Sequence, residues 1–353
     1  GKEVGTYDLF KLLAAEYICR SGFGIPDRFQ DEPDHPIVRM GMDVLPGIMT
    51  GPIHMIAQST TTLRKAVAPL MWLNNKIGHF TFDRFSKAVY KAVEIRRSNP
   101  LPTGRQDILQ VLLDAEDNCE EDTSGVENGY FNVKKKLSTT EISVNTGILL
   151  VAGFGTTSIT LSFVCYLLAK HQSVQERVRE EVKQVREKYG SLDYTAVTQG
   201  LKYTSRVVDE TLRLLPVVVT FTTRTAREDF EYDGVRYPAG LTVMAPTMVV
   251  QKDSRSWFDP EAFDPDRFLP ENISLQHGMA YQPFGQGPRN CIGKRLALVE
   301  IIYTVGRIVE RFNLDLGPSQ KENLELRFYS IVCEPREGPW IKFCSLPREE
   351  AQP

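Results

Sequence analysis

The chain has 353 residues, 42% of them hydrophobic and 25% charged, which is ordinary for one large globular domain or two smaller ones. Its net charge of −3 argues against nucleic acid as a main partner. The six cysteines are scattered and form no CxxC pair, which indicates a reducing compartment rather than a disulfide framework.

Hydrophobic periodicity predicts helices at residues 5–20, 79–98 and 105–116. Residues 21–36 are rich in Gly, Pro and Asp and predict a loop. Residues 37–78 mix apolar and small residues with prolines and few charges, so short helices are expected there. These helices are ordinary core in one interpretation. In the other they have a function, as a flexible roof over an apolar pocket or as a surface that touches a membrane.

The longest predicted helix, about residues 138–170, follows an exposed loop at 117–136 and begins with a capping box at Ser138 and Glu141. Its uncharged run from 142 to 169 is long enough to span a bilayer. A buried helix through the centre of a large domain fits equally well, because Ser, Thr and Gly cluster in the run and both flanks are charged.

A second capping box, Ser173 to Glu176, predicts a charged helix to Tyr189, and another helix is expected at residues 204–215. Residues 217–250 are predicted to form short strands, and residues 251–283 are predicted to be mostly loop. A terminal hairpin is expected at residues 324–344. The expected fold class is mostly α with small β-sheets (α+β), in a single domain over residues 1–353.

The segment at residues 284–293 reads Phe-Gly-Gln-Gly-Pro-Arg-Asn-Cys-Ile-Gly and places Cys291 in a tight loop. A helical pattern at 292–312 follows, so Cys291 is predicted at a helix N-terminus, where unpaired N–H groups and the helix dipole favour a thiolate. Three roles are open for Cys291: a buried structural cysteine, a nucleophile, or a haem ligand. A phosphatase-type loop needs Arg at position 297, which is Ala, and zinc needs more ligands than one thiolate.

Five positions of this loop match, in order and spacing, the haem-binding signature of the cytochromes P450: Phe284, Gly287, Arg289, Cys291 and Gly293. The chain resembles that family over residues 5–345, and most of all its microsomal type, in the clan of drug-oxidising enzymes and thromboxane synthase. The resemblance implies the cytochrome P450 fold, haem b (iron protoporphyrin IX) as cofactor, and Cys291 as the axial ligand of the iron.

The resemblance also implies a structural cluster behind the haem. The family's Glu-x-x-Arg pair is matched by Glu210 and Arg213, and its downstream Phe-x-Pro-x-Arg-Phe segment supplies Arg267. An Arg near position 224 binds a haem propionate in the family, so Arg224 and Arg289 are the expected propionate ligands.

The long helix carries a segment that resembles the oxygen-activation motif of the family: Ala152, Gly153, Gly155, Thr156 and Thr157. The small residues would leave room for oxygen and substrate, and the Thr156 alcohol would relay protons. The family usually has Asp or Glu where this chain has Gly155. The motif therefore does not identify the residue that passes protons to Thr156. Close helix packing is the alternative explanation of this segment.

The first hypothesis is a haem-thiolate monooxygenase that inserts one atom of O2 into an apolar small molecule. The resemblance implies electrons from NADPH-cytochrome P450 reductase, cytochrome b5 as a further partner, and a place on the cytosolic face of the endoplasmic reticulum membrane. The alternatives are a haem-thiolate isomerase of peroxides and a non-catalytic, truncated haem-binding product. The family's membrane anchor and first helices have no counterpart in this sequence, so the chain alone is expected to hold haem substoichiometrically.

Overall fold

The structure is a computed structural model, and it describes the following residues: 2–35, 38–39, 69, 81–102, 106–117, 137–274, 277–321, 323–329 and 331–347. The expectations for residues 37–78 and 117–136 therefore lie almost wholly outside the described residues.

Helices are the main elements of the fold. In the described part of the chain, those of ten residues or more are α1 Thr6–Phe23, α2 Thr81–Ser98, α3 Ile108–Asp117, α4 Thr139–Lys170, α5 Gln172–Tyr189, α6 Lys202–Leu214 and α7 Lys294–Val309. Each predicted helix of the described part is confirmed, with its ends moved by up to three residues. The predicted mostly helical class is thus confirmed.

The start of α4 is capped as the sequence predicts. The backbone N–H of Ser138 donates to the Glu141 carboxylate at 2.8 Å, and the N–H of Glu141 donates to the Ser138 hydroxyl at 3.3 Å. These two bonds satisfy donors that a helix start otherwise leaves unpaired.

The second predicted capping box is wrong. Helix α5 begins at Gln172, its cap residue is His171, and no side chain caps it. Only one residue separates α4 from α5, and the Gln172 amide fixes this junction by donating to the carbonyls of Ala169 and Leu314, each at 2.8 Å. The helix therefore starts before the capping signal at Ser173 can act.

The strands form small antiparallel sheets. They are β1 Glu3–Gly5, β2 Phe221–Thr225, β3 Phe230–Tyr232, β4 Val235–Tyr237, β5 Thr242–Ala245, β6 Phe312–Leu316, β7 Leu326–Tyr329, β8 Val332–Pro335 and β9 Trp340–Ser345. The pairs are β2 with β5, β3 with β4, and β7 with β8, while β9 lies between β1 and β6. The predicted terminal hairpin is confirmed for β7 and β8, but β9 leaves it to pair with strands far away in sequence.

The chain packs into two compact units. One comprises Lys11–Gly155, and the other comprises Gly1–Phe10 together with Thr156–Pro353. The boundary between them falls inside α4. A single domain over residues 1–353 stays a prediction.

Helix α4 is, within the described residues, the one helix long and apolar enough to cross a membrane. The most apolar part of it is 72% buried inside the protein, and Leu161, Phe163, Val164 and Leu168 are fully buried. This burial is the property of a core helix, which passes the same test of length and composition as a membrane span.

Candidate functional site

The Cys291 loop, residues 284–293, is closed by a backbone hydrogen bond from the N–H of Cys291 to the carbonyl of Phe284, 2.8 Å long. Gly285 and Gly287 have φ values of +71° and +79°, in the left-handed region that L side chains rarely adopt. A Cβ on Gly287 would meet no atom within 4 Å, so the loop is open there and glycine is needed for its backbone shape. Cys291 is a free, half-buried cysteine in this loop.

Helix α7 begins later than the sequence predicts. Its first residue is Lys294 and its cap residue is Gly293, so Cys291 lies two residues before the cap. The backbone of Cys291 closes the loop onto Phe284 instead of entering the helix. At the other end α7 stops at Val309, because Phe312 already pairs in β6.

Two basic residues flank the thiol. The Lys294 ammonium lies 5.5 Å from the centre of the Phe284 ring, within cation–π range. Arg289 ends a short 3-10 turn and is exposed. Positive potential at the thiol from these residues stays a prediction.

The structure brings Glu210, Arg213 and Arg267 together. Arg213 and Glu210 are fully buried and form two hydrogen bonds, 2.6 Å from Nε and 2.8 Å from a terminal nitrogen. The Nε of Arg267 lies 3.3 Å from the same carboxylate, close enough for an ion pair but poorly aligned for a hydrogen bond. Burial raises the pKa of Glu210, and the bonds and charge of Arg213 counteract that rise.

Arg213 uses its whole donor set. Besides the two bonds to Glu210, its guanidinium donates to three backbone carbonyls, those of Gln251 at 3.0 Å, Pro260 at 2.7 Å and Ala262 at 3.1 Å. All five N–H groups of the side chain are thereby paired. Arg213 thus fixes the loop between β5 and the Cys291 loop onto helix α6.

Arg267 and Trp257 complete this cluster. Arg267 donates to the carbonyls of Phe258 and Asp259, the latter at 2.6 Å. The buried Trp257 ring faces the Arg213 guanidinium at 5.0 Å. A buried charge pair is tolerated only when its remaining groups are satisfied, and here the carbonyls of one loop satisfy them.

Gln251 is a buried residue that sequence reasoning missed. Its amide nitrogen donates to the carbonyls of Leu212 and Arg213, at 2.9 and 3.2 Å. Its amide oxygen accepts the backbone N–H of Gln282 at 3.0 Å. Gln251 therefore links the end of α6 to the segment that leads into the Cys291 loop, and no motif signals this.

Asp209 was also missed. It precedes Glu210 on α6, and its carboxylate accepts a 2.8 Å hydrogen bond from the Tyr281 hydroxyl. The sequence carries no local signal for this pair, because Tyr281 lies 72 residues away along the chain.

The predicted oxygen-activation residues lie on consecutive turns of α4. Ala152 is exposed, Thr156 is half-buried and Thr157 is fully buried. The Thr157 hydroxyl has no hydrogen-bond partner among the described residues, while the backbone carbonyl of Thr156 accepts the Thr160 hydroxyl at 2.9 Å.

Gly153 and Gly155 differ in their surroundings. A Cβ on Gly153 would lie 2.7 Å from the Ile18 side chain of α1, so the missing side chain of Gly153 allows α1 and α4 to approach. Close packing, the alternative explanation of this segment, therefore applies to Gly153. Gly155 is buried and places no carboxylate beside Thr156.

Arg224 lies on β2, opposite Val243 of β5, and its side chain is exposed. It is the second predicted propionate ligand.

Comparison with known proteins identifies the fold family. The family model described as Cytochrome P450 matches residues 2–341. The chain belongs to the cytochrome P450 family. Thromboxane-A synthase of Rattus norvegicus is 31% identical over 347 residues, covering 93% of this chain and 64% of the relative. Cytochrome P450 3A7 of Homo sapiens is 31% identical over 332 residues, covering 94% and 63%.

This cytochrome P450 chain therefore spans a little under two thirds of the length of these relatives. Family membership confirms the predicted resemblance and the predicted α+β fold with small antiparallel sheets.

A cytochrome P450 is expected to hold haem iron, and the residues of the Cys291 loop fit this group. The described residues contain no group of three or more His, Cys, Asp or Glu that could hold a metal ion by themselves. A haem needs only one axial thiolate from the protein. The loop offers one half-buried thiol, and the nearest atom to a Cβ built on Gly293 is the Cys291 sulfur itself, at 4.0 Å. A larger residue at position 293 would contact the sulfur, so glycine leaves that side of Cys291 clear of a side chain.

Proposed function

We propose that this chain carries the haem-thiolate site of a monooxygenase that inserts one atom of O2 into an apolar small molecule. The observation that carries the proposal is the Cys291 loop. It holds one free, half-buried thiol in a tight turn whose glycines add no side chains around it. Bound there through Cys291, a haem b would supply the redox chemistry of the iron, to which the thiolate donates electron density.

The protein's own residues hold and orient the cofactor. Arg224 and Arg289 are exposed guanidinium groups that can pair with the two propionates. Phe284 and Gly293 border the thiol on either side. The cluster of Glu210, Arg213 and Arg267 fixes the preceding loop and takes no part in the chemistry.

Helix α4 supplies the distal residues in this proposal. The Thr156 hydroxyl donates or relays a proton at its Oγ1 atom, and the buried Thr157 hydroxyl supports it. Ala152 leaves space for the substrate beside the helix. Gly155 provides no carboxylate that could pass a new proton to Thr156. We therefore expect NADPH consumption to be poorly coupled to product formation, with much of it yielding released hydrogen peroxide. Gly155→Glu should lower the share of NADPH lost as peroxide.

Electrons would come from NADPH-cytochrome P450 reductase, with cytochrome b5 as a second donor. The exposed Arg289, Lys294 and Arg295 give the Cys291 side of the protein a positive surface, which suits an acidic redox protein. We place the protein at the cytosolic face of the endoplasmic reticulum membrane, where the microsomal type of the family works.

The test is the spectrum of the ferrous protein with carbon monoxide. We expect the red-shifted Soret band of a thiolate ligand, and we expect Cys291→His to abolish it. Cys165→Ala and Cys333→Ala are the matched controls, because both thiols are buried and burial raises the pKa of each to about 12. A reconstituted protein that binds haem without this band would refute the assignment.

An isomerase of peroxides is a second candidate, and Gly155 favours it. An isomerisation consumes neither NADPH nor protons from a relay, so a missing carboxylate costs it nothing. Product formation from a lipid-like peroxide without NADPH or reductase would identify the isomerase, whereas strict NADPH dependence would identify the monooxygenase. A chain that takes up haem only substoichiometrically and forms no product in either assay would be the non-catalytic, haem-binding product.

A further inference from the structure

Asp209 links two ends of the Cys291 loop. Its carboxylate accepts the Tyr281 hydroxyl at 2.8 Å, three residues before the loop begins. The positive charge of Lys294, the first residue after the loop, is also close enough to favour the ionised form of Asp209. One carboxylate on helix α6 thus hydrogen-bonds to a residue before the segment that carries Cys291, and the charge of the residue after that segment acts on it.

The position of Asp209 is unfavourable for a charge. Burial raises the pKa of its carboxyl to about 6, although the Tyr281 hydrogen bond and Lys294 both act in the opposite direction. The other charges that face this pair are Glu210 and Arg213, which act on Tyr281. Burial and the neighbouring carboxylates raise the pKa of Tyr281 well above its ordinary value, so Tyr281 remains a hydrogen-bond donor.

A charge kept in a desolvated place weakens the folded state above the ordinary pKa of the carboxyl. An uncharged Asn would fill the same space and still accept the Tyr281 hydroxyl. Stability alone therefore does not explain the carboxylate, whereas its 2.8 Å bond to Tyr281, just before the Cys291 loop, gives it a place in holding the loop.

We propose that Asp209 is a positioning residue for the haem-thiolate loop: its negative charge holds Tyr281 and Lys294, the two flanks of the loop, and so sets how Cys291 is presented to the iron. This inference rests on the proposed function. Asp209 acts through the loop and touches neither the cofactor nor the substrate.

Protonation should loosen the arrangement. A neutral carboxyl accepts a weaker hydrogen bond from Tyr281 and no longer attracts Lys294. With a pKa of about 6, the charged share of Asp209 falls about tenfold between pH 7 and pH 5. We expect the share of thiolate-ligated carbon monoxide complex to fall over the same interval.

The experiment measures that share from pH 5 to pH 8 in the full haem-loaded chain and in three variants. Asp209→Asn keeps an acceptor for Tyr281 but has no charge, and it should give a low share with no inflection near pH 6. Tyr281→Phe removes only the hydrogen bond and should lower the share while keeping the inflection. Asp253→Asn is the control, because Arg255 lowers the pKa of this exposed carboxyl to about 2.

An Asp209→Asn protein with the wild-type midpoint, or one that loses stability equally at every pH while its spectrum is unchanged, would overturn the proposal. If no variant and no wild-type sample shows the thiolate band, the proposed function fails and a second measurement decides on Asp209. That measurement is the rate at which a thiol reagent modifies Cys291, in a Cys119→Ser, Cys344→Ser background and without haem. Positioning predicts a several-fold faster reaction in Asp209→Asn at pH 7, and an unchanged rate would refute it.

Discussion

The Glu210 cluster and the Cys291 loop are adjoining segments of one site with opposite physical characters. In the cluster, every donor of Arg213 has an acceptor and the side chain is fully buried. In the loop, the thiol is half-buried, Ile292 is 87% exposed, and the backbone bends through glycines with positive φ. Buried and fully paired groups therefore lie in the cluster, whereas the loop leaves Cys291 partly accessible.

The largest expected effect follows from breaking the cluster. Arg213→Ala leaves the Glu210 carboxylate buried with only the Asp264 N–H, at 3.0 Å, and the poorly aligned Arg267 guanidinium as partners, so we expect a loss of about 3–5 kcal/mol in the free energy of unfolding. Denaturant unfolding at pH 7 measures it. Arg289→Ala, in the exposed loop, should change the same quantity by less than about 0.5 kcal/mol. Equal losses in the two variants would remove the distinction between cluster and loop.

Glu300 on α7 is a buried carboxylate that, unlike Glu210, lacks compensation. Its Oε1 has no hydrogen-bond partner in the described part of the chain. Burial raises the pKa of Glu300 to about 7. The folded state therefore binds more protons than the unfolded state between the ordinary pKa and pH 7, and stability falls as pH rises through that window. Glu300→Gln should gain about 1–3 kcal/mol at pH 8 and nothing at pH 4.

The control for Glu300 is Glu325, an exposed carboxylate whose pKa is lowered by Lys321. Glu325→Gln should lose a little stability at pH 8 and none below the ordinary pKa of the carboxyl, which is the opposite sign. A Glu300→Gln protein that is less stable at pH 8 would mean that an unseen partner compensates the charge.

A substitution at Gly287 shows how much stability depends on the backbone conformation of the Cys291 loop. Its φ of +79° disfavours any L side chain, although the space beside it is empty. We expect Gly287→Ala to cost about 1 kcal/mol. Gly278→Ala, which is exposed, has no positive φ and meets no atom within 4 Å, should cost less than about 0.5 kcal/mol. Melting temperatures of the two variants compare them directly, and equal shifts would contradict the role of the loop backbone.

The smallest effect on stability is expected at Cys291, although the proposed function depends on this residue most. Cys291→Ser should change the free energy of unfolding of the haem-free chain by less than about 0.5 kcal/mol, because the side chain is half-buried. Cys165→Ser places a hydroxyl in a fully buried apolar position of α4 and should cost about 1–3 kcal/mol. A large loss in Cys291→Ser would assign the loop cysteine a structural role.

The sequence alone determined the local parts of this protein. Hydrophobic periodicity located the helices, Ser138 and Glu141 located the start of α4, and the Phe284 to Gly293 motif identified the family. The pair of Glu210 and Arg213 was also readable, because residues three apart on a helix meet whatever the rest of the chain does. These features depend on neighbours within about one helical turn.

Only the tertiary structure decided what depends on distant residues. Ile18 gives Gly153 its packing role, β1 and β6 draw β9 out of the terminal hairpin, and the Phe284 carbonyl keeps Cys291 out of α7. Tyr281 meets Asp209 across 72 residues of chain. Such partners are selected by burial and hydrogen-bond satisfaction in the folded chain, which a pattern of adjacent residues does not encode.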